Sequence, residues 1–174
     1  MNRVKLDNDF SFERRSSDAL GSLERSLIER ALHGDISVVY ECDIPSFAIT
    51  RADAIGTPLL HALASKGAAT VDLLRVMTLR GADASRRSEN ENDYGSTPLH
   101  AVAKSLYLPT SAILLRASPE SMSAAAGKER ATPLHVAASA GATAMFSQAR
   151  EVLGVRVFSS LLANRDLHGR TPLY

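Results

Sequence analysis

Apolar residues recur along this chain at the spacing of helices rather than of strands. Leu20, Leu23, Leu27 and Ala31 lie three or four residues apart with Arg and Glu between them, which predicts a helix from about Asp18 to Leu32. Val71, Leu74 and Met77, with Val76 beside them, form a second stripe between Thr70 and Arg80. The stretches Thr110 to Ala117 and Thr143 to Leu153 read as further short helices. Val157, Phe158, Leu161 and Leu162 keep the same spacing, so residues 154–163 lengthen the last helix or add a turn to it. Polar runs separate the stripes. The longest, Ser85 to Asp93, has no apolar face to bury and predicts a loop. The expected fold class is all-α.

Ahead of the later helices stands a recurring segment. Gly56-Thr57-Pro58-Leu59-Leu60-His61, Gly95-Ser96-Thr97-Pro98-Leu99-His100 and Ala131-Thr132-Pro133-Leu134-His135 line up on their histidines. Gly169-Arg170-Thr171-Pro172-Leu173-Tyr174 begins the same pattern, and the aligned positions are 39, 35 and 39 residues apart. The chemistry of the motif is that of a helix start. Thr97 and Thr132 place a hydroxyl where it can cap free N–H groups. Pro98 and Pro133 follow at the first helical position, where a missing N–H costs nothing. Leu99 and Leu134 then point inward, and Gly67 and Gly141 can end the short helix in the left-handed conformation. Upstream, Ala31 to Tyr40 reads as a helix end, a turn at Gly34 and the start of a partner helix.

These segments resemble the ankyrin repeat, with its period of about 33 residues and its Thr-Pro-Leu-His-x-Ala signature. Three motifs in register, each followed by a helix, make the resemblance specific; it covers residues from about 20 to 174. It implies an α-solenoid of paired antiparallel helices joined by short β-hairpin finger loops. A flexible segment over 1–17 would precede the repeat domain, 18–174. That domain divides into a polar capping repeat at about 18–47, repeats at about 48–86, 87–125 and 126–163, and a truncated one at 164–174. Gly81-Ala82-Asp83 matches the turn that leads into a finger, and the motif residues Pro58, His61, Thr97, Pro98, His100, Thr132, Pro133, His135, Thr171 and Pro172 take structural roles. In such repeats the motif histidine hydrogen-bonds backbone of the adjacent turn.

The chain also departs from the pattern. Pro58 stands where Thr is usual and Leu59 where Pro is, which weakens that cap. Leu106 occupies the inter-helix glycine position, leaving the start of the next helix open, and Arg130 occupies a finger glycine position. The finger between Gly81 and His100 is the longest.

Composition narrows the function. Twenty basic residues against 19 acidic ones leave a net charge of +1, without the excess or stripe expected of a nucleic-acid binder. One cysteine, Cys42, permits no internal disulfide, and no apolar run nears the roughly 18 residues that span a bilayer. The expectation is an intracellular, cytoplasmic, monomeric protein without membrane insertion. No phosphate-binding glycine loop or nucleophile elbow occurs. The histidines lack metal-ligand spacing, His33 and His168 read as exposed, and Cys42 reads as a small buried hydrophobe. The expectation is therefore no enzyme, no cofactor, no metal and no small-molecule substrate.

What the resemblance implies instead is a protein partner held by the finger loops and the concave groove, as an adaptor or scaffold would hold it. Arg86, Arg87, Glu89, Glu91, Asp93 and Tyr94 of the longest finger are the candidate contacts, since Tyr and Arg are frequent interface anchors. Arg-Arg-Ser patterns mark Ser17 and Ser88 as candidate phosphorylation sites. Because the motif stops at Tyr174, an alternative expectation is a targeting or regulatory module at the N-terminus of a larger enzyme or membrane protein.

Overall fold

The computed structural model describes residues 9–52 and 56–174, with side chains from Gly21 onward. Its elements are α1 (Asp9–Leu32), a 3₁₀ turn at Ile36–Tyr40, α2 (Ile44–Ala48), α3 (Leu59–Ser65), α4 (Val71–Leu79), α5 (Pro98–Ser105), α6 (Leu108–Ala117), α7 (Pro133–Ala140) and α8 (Thr143–Leu162). The described residues are thus all-helical, with only isolated antiparallel bridges at Arg51–Pro58 and Ala126–Ala131. Among them no helix is long and apolar enough to cross a membrane.

Most of these helices are too short to persist alone, so packing has to hold them. They form successive pairs, α3 with α4, α5 with α6 and α7 with α8. First members stack on first members, α1 on α3, α3 on α5 and α5 on α7. Second members do the same, the Ile36–Tyr40 turn on α4, α4 on α6 and α6 on α8. One apolar core runs between the two layers from Leu27 to Leu161. Leu59, Leu63, Leu99, Leu114 and Leu134 have no accessible surface, and burying each such side chain stabilises by about 1.5–3 kcal/mol.

Four elements differ from the sequence-based expectation. The first helix begins at Asp9 rather than near Asp18, so the segment expected to be flexible over 1–17 is helical from Asp9 on. Its inner face carries Leu27 and Ala31, whereas Leu23 is exposed and the Leu20 side chain lies outside the described residues. Its partner is broken into the 3₁₀ turn and α2, because two aspartates each start an element of their own. Asp35 accepts the Ser37 N–H at 2.9 Å and Asp43 accepts the Ser46 N–H at 3.3 Å. Gly34, between α1 and the 3₁₀ turn, could not be another residue: a Cβ there would lie 1.8 Å from the Ala69 carbonyl oxygen. Cys42 falls between these short elements rather than in a helix. It is half-buried, with Sγ donating to Val38 O at 3.1 Å, and burial first, then Asp43 and Glu41, pushes its thiol up.

The remaining two differences concern the second layer. In α4 the buried residues are Leu73, Leu74 and Met77, so the inward stripe is turned toward Leu73 and away from Val71. In α8, Gly154 takes φ 78° and ψ 161°, which splits the helix sharply in two. Phe158 in the second half meets Phe146 in the first edge to face, their centroids 6.5 Å apart, and Leu161 reaches the core.

Candidate partner-binding surface

The motif histidines tie each helix pair to the next. Thr97 caps α5, and its N–H donates to His100 Nδ1 at 3.0 Å. Because Nδ1 accepts, the ring proton sits on Nε2, which donates to Ala131 O at 3.1 Å. Thr132 and His135 repeat the arrangement at the start of α7. There Thr132 N–H reaches Nδ1 at 3.2 Å, and Nε2 donates to Arg170 O at 3.0 Å. His61 Nε2 donates to Ser96 O at 2.9 Å. Its Nδ1, however, is buried without a partner, because the residue capping α3 is Pro58, which has neither an N–H nor a hydroxyl to offer. Burial pushes both inner imidazoles down, His100 to about 4, so both stay neutral at ordinary pH. With both ring nitrogens of His100 and His135 committed to backbone, these rings tie one helix pair to the next.

These bonds hold the last three of four successive loops in line. In the first, Ala52 N donates to Thr57 O at 2.8 Å, and residues 88–96, 126–131 and 166–170 each close on themselves through backbone hydrogen bonds, such as Asp166 N to Arg170 O at 3.0 Å. Neighbouring loops then bond to one another, Gly127 N to Tyr94 O at 2.8 Å and Leu167 N to Glu129 O at 2.7 Å. Further along this edge Arg170 bridges Asp166 and Glu129, each at 2.7 Å. Asp166 in turn accepts the His168 and Arg170 N–H groups. His168 and His33 are exposed.

Six candidate contacts share the longest loop but do not play one role. Tyr94 is 67% exposed. Glu91 is exposed as well, and Arg86 pairs with Glu89 at 3.1 Å. Arg87 is engaged internally, its Nη1 donating to Ala125 O of the following segment at 3.0 Å. Asp93 pairs with Lys104 of α5 at 2.8 Å. Lys104 was not singled out from the sequence, because only the folded loop brings it against Asp93, eleven residues earlier.

The loop also buries polar residues that its composition assigned to solvent. Ser88 is 2% exposed: its N–H donates to Ser96 O at 2.7 Å, its carbonyl accepts from Gly95 N, and its hydroxyl accepts the Asn90 N–H. Its hydroxyl is therefore closed to a kinase while the loop keeps this form. The other candidate phosphorylation site, the Ser17 side chain, lies outside the described residues.

Between α3, α5 and their loops runs a groove lined by Thr57, His61, Ser65, Ser96, Lys104 and Ser105. A second groove of the same kind lies beside α7, lined by His135, Val136, Ser139, Arg170 and Thr171, with Pro172 buried and Thr171 half-buried against it. Both are open to solvent along one side rather than enclosed. No protein-family model matches the chain, and a search of curated proteins finds no match.

Proposed function

We propose that the chain is an ankyrin-type repeat array and works as a non-catalytic protein-binding module, an adaptor or scaffold that takes a partner along its loops and the grooves beneath them. One observation carries this reading. Three successive motif histidines each donate Nε2–H to a carbonyl in the next loop, at 2.9, 3.1 and 3.0 Å, so these loops stand in line on a two-layer base. Exposed loops positioned by a packed scaffold are where recognition usually resides. The stacked, paired helices and the left-handed turns at Gly67 and Gly141 support the repeat assignment.

Within the edge, Tyr94 is the strongest single anchor, a large exposed aromatic whose backbone is fixed by the Gly127 bond. Tyr94→Ala is expected to weaken partner binding by about 1–2 kcal/mol while leaving the unfolding midpoint unchanged. Arg87→Ala is expected to weaken binding too, but with a lower midpoint, since it also removes the bond to Ala125 O. Affinity for a verified partner and urea denaturation of each variant test this. Wild-type affinity in both variants would remove the longest loop from the site.

A further inference from the structure

A cleft between the first two loops, sharing no lining residue with the His61 groove, is left with unmet chemistry. Ile49, Arg51 and Pro58 line it on one side, and Arg86, Asn90 and Glu91 on the other, with Arg87 and Glu89 at its border. Asn90 is 8% exposed. Its Oδ1 accepts the Asn92 N–H at 3.0 Å, but its Nδ2 is buried with no acceptor. Native proteins rarely leave such a group unpaired. Among the described residues the exposed Arg51 guanidinium makes no hydrogen bond or ion pair, whereas Arg86 and Arg87 are already engaged. Ile49 is 46% exposed beside it.

We propose that this cleft receives the carboxylate of an Asp or Glu side chain on a protein partner, held by Arg51 and Asn90 Nδ2, with an apolar neighbour of that residue against Ile49 and Pro58. A carboxylate satisfies both free donors at once. Among the described residues that line it, three guanidinium groups against Glu89 and Glu91 leave a single positive charge, which matches a monoanion. A phosphate dianion would meet the two glutamates, and a nucleic-acid backbone would need a basic surface that a chain of net charge +1 does not present. The proposal rests on the reading of the chain as a protein-binding module, but the cleft and the His61 groove can fail separately.

The test is a titration of the full isotope-labelled chain, followed by NMR, with three probes. These are a blocked peptide carrying one Glu between two Leu residues, its Gln counterpart, and inorganic phosphate. The Glu peptide is expected to shift the Asn90 side-chain amide and the Arg51 Nε–H, and to bind at least about tenfold more tightly than the Gln peptide. That advantage is expected to vanish in Arg51→Gln, at an exposed position, and in Asn90→Asp, which keeps the acceptor for the Asn92 N–H while replacing the free donor. No shift with the Glu peptide, equal affinity for both peptides, or tighter binding of phosphate would each overturn the proposal. Shifts centred on His61 and Lys104 instead would overturn it too, while leaving the groove as a binding surface.

Discussion

Single side chains here do work that is local in sequence and distant in effect. His100 accepts from its own cap through Nδ1, a bond that requires the neutral ring, and grips the next loop by donating through Nε2. Its pKa is about 4 when folded, because burial disfavours the charged form, against about 6.5 when unfolded. The unfolded chain therefore binds the extra proton first, so stability is full above about pH 6.5 and is lost as pH falls toward 4. From about pH 7.5 to about pH 5 this one ring is expected to remove about 2 kcal/mol. His61, also pushed down by burial, adds in the same direction. Urea unfolding across that range should show the loss, and His100→Gln should flatten it. An equally steep profile in the variant would assign the loss to other groups. The cap and the inward leucine were legible in the motif because they involve neighbours three residues apart. Burial of Ser88 and Asn90 was not, because it depends on how the loop closes between Ser88 and Ser96.

Helix ends show where a local rule is obeyed by an unfavourable residue. Gly141 closes α7 with φ 73°, and Leu106 closes α5 in the same left-handed form with φ 63°. A Cβ in that conformation is strained by about 1–2 kcal/mol, and the Leu106 side chain, largely exposed, regains little of it. Leu106→Gly is thus expected to stabilise the protein by about 0.5–1 kcal/mol, whereas Leu106→Ala, which keeps the Cβ, is not. Denaturation midpoints of the two variants decide it; a stabilised Ala variant would point to relief of something other than backbone strain. The position stood out in the sequence as a missing glycine, and the turn forms there all the same because α5 and α6 pack on each other and on both neighbouring pairs. By contrast, the break between the Ile36–Tyr40 turn and α2, and the kink at Gly154, were hidden. Apolar spacing continues through both, and only the Asp43 cap and the φ of Gly154 interrupt the helix.

At the scale of the whole molecule, helix pairs that could not fold singly share one core, and their loops share one edge. On the proposed reading, stability resides in the contacts between successive pairs, and recognition in what they hold out to solvent. That division is why the two-layer arrangement was readable from repeating motifs, while the features of the surface were not. The Asp93–Lys104 pair, the engaged Arg87 and the exposed Arg51 at the cleft arise only when separate segments meet. The most direct test of the central claim places a photoreactive benzoylphenylalanine at position 94, at position 104, or at position 75 on the exposed side of α4. Each full-length protein is then irradiated in an extract of its source. The account predicts the same protein adduct from positions 94 and 104 and none from 75. Adducts as strong from position 75, or none from 94, would contradict a partner bound along the loops.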